Sequence, residues 1–361
     1  MRQYIVLSHT PWSSSPTRTQ QLVTRLGDAQ VLFFQPAAGP GDQAWKSGGK
    51  LVRPDVTAFT LPPEGRLAAG NHPLFRRRSL RRQAAYIERQ LARHKFREPI
   101  LWVTSPEQLP FLDYFAYRGL VYDCDRFWPP ELDEQESELA VNADVIFAAS
   151  PLLRERLAPC NSNVALLPNG VNYPMYCRGN EELPSDLSHL MKPVLGWAGV
   201  IDRHLDLSPV QAIADRHPEW TVALLGPIED CPAVRRLATH SNVVFLGPRP
   251  AVDLPDYLMQ FQVLLNLRRR EELESDVIPG RIYEYLSTGR PIVSLLLPEE
   301  VEEFPDVIYG AHSPEEFVDL CRRALEEDPT WVSPRRRDYG AAAAWSRRAE
   351  EVRNILSSIS M

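Results

Sequence analysis

Short apolar runs, rich in β-branched and aromatic residues, alternate along this chain with segments whose apolar positions recur at helical spacing. The runs are largely continuous, which is typical of strands buried on both faces of a parallel sheet. Strands are predicted at 4–8, 30–34, 56–61, 100–104, 119–123, 144–149, 163–167, 193–198, 220–225, 243–246, 262–267 and 291–297. Helices are predicted at 17–26, 79–96, 131–142, 151–158, 208–217, 253–260, 281–288 and 314–327, with a further helical run at 338–357. This alternation predicts an α/β protein with doubly wound sheets.

The chain is long enough for two domains. It has 361 residues, and a domain typically takes about 150. A polar stretch at 172–191 separates the two sets of predicted strands, and we expect the linker there. We therefore predict an N-terminal domain over 1–172 and a C-terminal domain over 173–339.

Charge is distributed unevenly between the two halves. The whole chain carries a net charge of -7, which argues against a globally basic nucleic-acid binder. Residues 1–122 nevertheless contain 17 Lys/Arg and 8 Asp/Glu. Within them, the segment 75–97 contains nine Lys/Arg and one Glu. This segment has no recognition motif and no row of stacking aromatic residues. We therefore favour an anionic membrane surface over nucleic acid as the partner of the helix at 79–96, with a simple solvated face as the alternative.

The five cysteines are odd in number and have no metal-ligand spacing, so reduced thiols and no bound metal are expected. No signal-like segment precedes the first strand, and no apolar run has the length of a membrane span. These features predict a cytoplasmic protein that docks reversibly on the inner face of the membrane.

The segment from Asp276 to Ser294 is the most informative motif. Pro279-Gly280 predicts a loop that opens a helix at Arg281, and a helix N-terminus with an adjacent arginine suits a phosphate group. Glu284 follows on the same face, where its carboxylate could accept ribose hydroxyls. An ordinary helix with an Arg–Glu pair explains these residues equally well.

Asp276 and Glu284, eight positions apart, also resemble the nucleotide-sugar signature of retaining glycosyltransferase family 4. Other segments agree with that family in the same order along the chain. They are Ala143–Pro151, Leu167–Asn172, Val194–Gly199 and Asn242–Arg249. The stretches around Pro11-Trp12 and Leu101–Glu107 resemble its bacterial cell-surface polysaccharide branch, of the teichuronic-acid type.

The resemblance implies a GT-B fold, in which two Rossmann-like domains face a central cleft and the last helix, 340–361, crosses back onto the first domain. It implies transfer of a sugar from a UDP- or GDP-sugar to a glycan or lipid-linked acceptor, with retention and without a cofactor or metal ion. The donor-binding residues that it implies are Gly199, Arg203, Arg249, Arg281, Tyr283 and Glu284. The catalytic candidates are Asp123, Asp125, Arg203 and Asp276. The two aspartates at 123 and 125 follow a predicted strand, where a carboxylate can orient or deprotonate an acceptor hydroxyl; a turn or helix cap is their alternative role.

The sequence also departs from the family pattern. Asp276 stands where the family usually has Glu, Arg203 is displaced from the family's basic pair, and Ser13–Pro16 replaces the Gly-Gly loop. The family histidine near 119–128 is absent. Two alternatives therefore remain, a non-catalytic sugar-nucleotide-binding protein and a nucleotide-sugar epimerase.

Overall fold

The computed structural model describes residues 1–13, 15–64, 73–179, 182–268, 276–295 and 302–359. These residues form two compact units. The first contains Met1–Pro168 and Arg348–Met361, and the second contains Asn169–Arg347. No helix among the described residues is both long and apolar enough to cross a membrane.

The described part of the first unit contains an eight-stranded sheet in the order β3-β4-β2-β1-β5-β6-β7-β8. Its strands are β1 (Arg2–Leu7), β2 (Ala29–Gln35), β3 (Lys50–Arg53), β4 (Val56–Thr60), β5 (Ile100–Val103), β6 (Gly119–Cys124), β7 (Val145–Ala148) and β8 (Val164–Leu166). All neighbours are parallel except β3, which pairs antiparallel with β4. The helices are α1 (Arg18–Val23), α2 (Pro73–Arg93), α3 (Asp133–Asn142) and α4 (Pro151–Leu157), with 3-10 turns at Ala44–Ser47, Pro106–Asp113 and Pro130–Leu132.

The described part of the second unit contains a six-stranded parallel sheet in the order β11-β10-β9-β12-β13-β14. Its strands are β9 (Val194–Ala198), β10 (Thr221–Leu225), β11 (Val243–Gly247), β12 (Val263–Asn266), β13 (Ile292–Leu295) and β14 (Tyr309–Ala311). Its helices are α5 (Tyr173–Tyr176), α6 (Ser208–Arg216), α7 (Pro232–Leu237), α8 (Leu254–Gln260), α9 (Gly280–Thr288), α10 (Pro314–Leu325) and α11 (Pro329–Ala342), with a 3-10 turn at Ala251–Asp253. Helix α12 (Trp345–Ser358) begins in this unit, and its residues from Arg348 belong to the first.

Every predicted strand and the eight internal helices are present, and the α/β class with parallel sheets is confirmed. The continuous apolar runs belong to strands that are buried on both faces, as expected. Along β9, Leu195 and Trp197 pack into one apolar cluster of the second unit, and Val194 and Ala198 pack into the other. Both faces of the strand are therefore buried, and polar alternation would leave polar side chains in a core.

The predicted helical run at 338–357 is divided into two helices. Ala343 accepts a hydrogen bond from the Val171 N–H (3.0 Å), and the Trp345 N–H donates to the Val171 carbonyl (2.9 Å). These bonds take the Ala343 carbonyl and the Trp345 N–H out of helical pairing. Farther along α12, Val352 and Leu356 are buried, and Arg353 Nη1 donates to the Arg25 carbonyl (2.6 Å).

Three glycines bring the ends of β9, β10 and β11 into close contact. The Gly199 N–H donates to Leu225 (2.9 Å), and the Gly226 N–H donates to Gly247 (3.0 Å). A Cβ atom on Gly226 would lie 1.9 Å from the Gly199 carbonyl oxygen, and Gly226 has φ +145. Neither the space nor the backbone conformation admits a side chain there.

We expect Gly226→Ala to lower the free energy of unfolding by about 2–4 kcal/mol, from backbone strain and overlap together. Gly179→Ala is the matched control, because Gly179 has φ +72 and a Cβ atom added to it would have no neighbouring atom within 4 Å. That change carries the backbone cost alone, about 1 kcal/mol. Urea unfolding of both variants measures the difference, and equal losses would contradict the close contact at Gly226.

Candidate active site

A cavity of about 630 Å³ lies in the second unit, at the carboxyl ends of β9 and β12 and the amino end of α9. The strand order reverses between β9 and β12, and ligands of open α/β sheets bind at such a reversal. The lining residues are Trp197, Ala198, Gly199, Val200, Asp202, His204, Leu205, Arg268, Pro279, Gly280, Arg281 and Glu284.

The amino end of α9 forms one wall of this cavity. Pro279 stands at the N-cap and has no side chain that can accept a hydrogen bond from the first N–H groups of the helix. The segment before Pro279 is held in place by a hydrogen bond, which Asn169 Nδ2 donates to the Ile278 carbonyl (3.0 Å). A helix terminus without a side-chain cap, facing a cavity, suits an anionic group.

Arg281 and Glu284 form an ion pair and hydrogen bond on the first turn of α9, and both line the cavity. Burial alone would lower the pKa of Arg281, but the Glu284 carboxylate and the Tyr176 hydroxyl outweigh it and raise the pKa. Burial, with Glu284 beside it, also holds the pKa of Tyr176 well above its ordinary value. The guanidinium is therefore a fixed positive charge, and it is still about one quarter exposed (26%).

The carboxyl end of β9 is joined to α9 by a buried hydrogen bond. The Ala198 N–H donates to the Tyr285 hydroxyl (3.0 Å). Burial raises the pKa of Tyr285 to about 12, so this hydroxyl stays protonated. The bond positions Gly199 and the loop that follows it against the same cavity.

The second arginine of the lining is Arg268, which sequence reasoning missed. The expected loop cation, Arg203, is exposed outside the lining, with its Nε 3.5 Å from His204 Nε2. Arg268 follows β12 and pairs with Leu205 through a backbone bridge. An arginine at the carboxyl end of a central strand is the signal that could have identified it. The residues that follow, 269–275, lie outside the described part of the chain.

Two predicted donor-binding residues, Arg249 and Tyr283, and the catalytic candidate Asp276 also lie outside the lining. Arg249 donates to Asp186 (2.7 Å) and to the Tyr257 hydroxyl (2.8 Å) beside a separate cavity of the second unit. Tyr283 is buried in the apolar core, edge to face with Phe304. Asp276 is buried directly before the loop that opens α9. Gly199, Arg281 and Glu284 are therefore the predicted residues that the structure brings together.

Asp123 and Asp125 belong to the first unit and lie at the carboxyl end of β6. Asp123 is buried and accepts a hydrogen bond from Arg18 Nε (2.9 Å), in an ion pair whose side chains are 1% and 4% exposed. Burial raises the pKa of Asp123, and Arg18 offsets the rise only in part. Its contacts are those of a structural carboxylate.

Asp125 is in a different environment. Burial would raise its pKa, but the bonds from Arg126 (2.8 and 3.2 Å) outweigh burial, and the pKa is lowered. Asp125 is partly exposed and ionised, so it is the better placed of the two to meet an acceptor hydroxyl. The loop expected to replace the Gly-Gly turn begins with Ser13, whose carbonyl accepts from Gln20 Nε2 (3.0 Å); Ser14 lies outside the described residues.

Comparison with known proteins relates the chain to glycosyltransferases. Residues 208–354 match the glycosyl transferase-like protein family. The "Putative teichuronic acid biosynthesis glycosyltransferase TuaH" of Bacillus subtilis (strain 168) is 24% identical over 265 residues. That match spans 65% of this chain and 66% of the relative, which is about two thirds of each.

Solved structures match the whole chain. Sucrose-phosphate synthase from Thermosynechococcus elongatus has a TM-score of 0.72 at 13% identity, with 99% of each chain covered. Anabaena HepE, in complex with UDP-glucose, has a TM-score of 0.67 at 18% identity, with 99% of this chain and 100% of that chain covered. The fold is GT-B. The predicted fold is thus confirmed, and the family and relative support the predicted glycosyltransferase class.

The two aspartates of the first unit should respond differently to removal of charge. Asp123→Asn leaves the buried Arg18 uncompensated, so we expect a loss of about 3–5 kcal/mol in the free energy of unfolding. Asp125→Asn removes a partly exposed ion pair and should cost less than about 1 kcal/mol. We expect the second variant to lose sugar transfer while its donor affinity is unchanged. Urea unfolding and calorimetry with UDP separate the two effects, and the reverse ranking of stability would contradict this assignment.

Proposed function

We propose that this protein is a retaining glycosyltransferase of family 4 type, which moves a sugar from a nucleotide-sugar donor to a glycan or lipid-linked acceptor. The observation that carries the proposal is the cavity at the amino end of α9, where Arg281 and Glu284 meet uncapped backbone N–H groups and the glycine loop after β9. Backbone donors, a fixed cation and a carboxylate match the diphosphate and ribose of a nucleotide.

The diphosphate lies at the amino end of α9 in this proposal, with Arg281 and Arg268 beside it. Glu284 accepts hydrogen bonds from the ribose hydroxyls. Asp276 contacts the donor sugar, and Arg203 reaches the diphosphate from its exposed loop. Negative charge develops on the diphosphate as its bond to the sugar breaks. Preorganised positive charge at that oxygen stabilises the transition state more than the ground state. The arginines and the helix terminus supply this charge, so we propose that neither a cofactor nor a metal ion takes part.

The names of similar proteins support the choice of donor and pathway. Solved neighbours contain UDP-glucose in HepE and UDP-2-fluoro glucose in the Escherichia coli trehalose-6-phosphate protein. The curated relative is named for teichuronic acid biosynthesis. We therefore propose a UDP-sugar donor and a role in assembling a bacterial cell-surface polysaccharide.

Arg281→Ala should weaken the binding of UDP by about 1.5–3 kcal/mol, the scale of a hydrogen bond to a charged group. Arg216→Ala is the matched control, because Arg216 is an exposed arginine of the same unit, outside the cavity, 3.8 Å from Glu315. Its loss should leave the affinity unchanged. Glu284→Gln should also weaken binding if the carboxylate holds the ribose. Titration calorimetry with UDP and GDP, in the presence of EDTA, makes the measurement.

Failure to bind either nucleotide would falsify the proposal. Unchanged UDP affinity in Arg281→Ala, combined with lower stability, would make the Arg281–Glu284 pair structural. Incubation of the protein with UDP-sugar alone tests for epimerisation, which needs no acceptor.

We also propose that α2 docks the protein on the inner face of the cytoplasmic membrane. Ala84, Ile87 and Leu91 of this helix are buried, so the face that carries them packs inward and the opposite face is exposed. The helix also carries exposed arginines, which are Arg76, Arg77, Arg78, Arg81, Arg82, Arg89 and Arg93. Leu74 and Phe75 at its start are 71% and 39% exposed, so apolar contact can add to the electrostatic attraction.

Changing Arg76, Arg77 and Arg78 together to Gln should weaken binding to phosphatidylserine-containing vesicles by about 3 kcal/mol, since each basic residue contributes about 1 kcal/mol. The control changes Arg235, Arg236 and Arg322, which are exposed in the second unit, to Gln and alters the net charge equally. Co-sedimentation at low and high salt, with phosphatidylcholine vesicles for comparison, measures the effect. Equal sedimentation of both variants would contradict membrane docking through α2 and indicate that its basic residues are simply solvated.

A further inference from the structure

Asn169 is the first residue of the second unit, and its side chain reaches the loop that opens α9. Its Nδ2 group donates at 3.0 Å to the carbonyl of Ile278, which lies 109 positions further along the chain. Ile278 directly precedes Pro279 and Gly280, and both of these residues line the cavity at the amino end of α9. Asn169 itself is not part of the lining. The amide therefore influences the cavity only through the residues that it holds.

The backbone that carries Asn169 is firmly anchored. The Val171 N–H donates to the Ala343 carbonyl (3.0 Å), and the Val171 carbonyl accepts from the Trp345 N–H (2.9 Å). Val171 is buried, so loss of either bond would leave a backbone group unpaired in the core. Gly170 packs closely against the same segment, because a Cβ atom on it would lie 2.6 Å from the Ala343 carbonyl oxygen. The Asn169 amide thus projects from a rigid support.

The accepting carbonyl belongs to the peptide unit between Ile278 and Pro279. A peptide unit is planar, so a hydrogen bond to its oxygen limits the orientation of the whole unit. The ring of Pro279 then fixes the next backbone angle, φ, at -61°. Pro279 itself has no N–H group to donate and no side-chain cap. The Asn169 bond therefore sets the direction in which the chain enters α9.

The backbone groups that depend on this direction lie in the first turn of α9. The Ile282 N–H donates to the Pro279 carbonyl (3.0 Å), which leaves the N–H groups of Gly280 and Arg281 for a ligand in the cavity. A hydrogen bond from an N–H group to a phosphate weakens steeply as its angle departs from linear. A tilt of the first turn would misalign both N–H groups and the Arg281 side chain together.

We infer that Asn169 is a positioning residue for the diphosphate, because its amide holds the amino end of α9 in the orientation that binds phosphate. The inference rests on the proposed function, which puts the diphosphate at this helix terminus. Asn169 acts through Ile278 and makes no contact with the nucleotide. Because the terminus is ordered before the ligand arrives, binding does not carry the entropic cost of ordering it.

Titration calorimetry with UDP on Asn169→Ala and Asn169→Leu tests the inference. Both substitutions remove the amide donor, and leucine keeps a side chain of similar size. We expect UDP to bind about tenfold more weakly to each variant, the scale of one hydrogen bond to a charged group. Urea unfolding of the same samples shows whether each variant is folded.

A double-mutant cycle with Arg281→Ala separates positioning from a general loss of stability. If Asn169 orients the terminus that carries Arg281, part of its effect disappears once the guanidinium is absent. We expect Asn169→Ala to weaken UDP binding only about threefold in the Arg281→Ala background. A purely structural Asn169 would leave UDP affinity unchanged in both backgrounds, or lower it by the same factor in each.

Asn172→Ala is the matched control, because Asn172 is a partly buried asparagine of the same segment whose Nδ2 contacts Met175 Sδ (3.7 Å) and not the loop before α9. It should leave UDP affinity unchanged. Parental UDP affinity in either Asn169 variant, equal losses in the two Arg281 backgrounds, or an equal loss in Asn172→Ala would overturn the inference. Absence of UDP binding by the unaltered chain would overturn the proposed function as well. A loss in Arg281→Ala without one in Asn169→Ala would overturn the positioning role alone.

Discussion

The hydrogen bond from the Ala198 N–H to the Tyr285 hydroxyl is the contact on which the geometry of the cavity at the amino end of α9 depends. It joins the last residue of a central strand to the second turn of α9, and both groups are buried, so leaving either one unpaired would carry a desolvation cost. With these two elements fixed, the glycine loop and the uncapped helix terminus must face the same space. The close approach of Gly226 to Gly199 secures the other side of that loop. The cavity is therefore a consequence of how the core is packed.

The charge of this cavity follows from the same packing. Glu284 pairs with Arg281, so a partly buried guanidinium is tolerated on a helix whose other side chains are mostly buried. Arg268 lines the same cavity and follows a strand, where its backbone pairs with Leu205. In the proposed complex a diphosphate meets both cations while a ribose hydroxyl donates a hydrogen bond to Glu284. The Glu284 carboxylate would then pair with Arg281 in the free protein and with the ribose in the complex.

Much of the fold could be predicted from the sequence, because short continuous apolar runs between helical segments indicate strands that are buried on both faces. The short strands β3 and β14 were missed because three or four residues at a sheet edge carry little pattern. Helix α12 was joined to α11 because the backbone bridge to Val171 depends on a partner far away in sequence. Helix spacing predicts that Arg281 and Glu284 share one face, and both line one cavity in the structure. Arg203 and Tyr283 were selected by resemblance, and their actual surroundings depend on loop geometry and core packing.

His9 shows what linear pattern cannot supply. A histidine after the first strand has no distinctive spacing, and sequence reasoning sought one near 119–128 instead. Parallel strands bring their carboxyl ends to one edge of the sheet, so a residue after β1 meets Thr104 after β5 and Trp128 beyond β6. The same rule puts Arg268 beside Arg281 in the cavity of the second unit, and it puts amides, hydroxyls and carboxylates around a cavity of the first. Both sheets reverse their strand order beside a central strand, and their cavities differ in chemistry because different side chains stand at the corresponding strand ends.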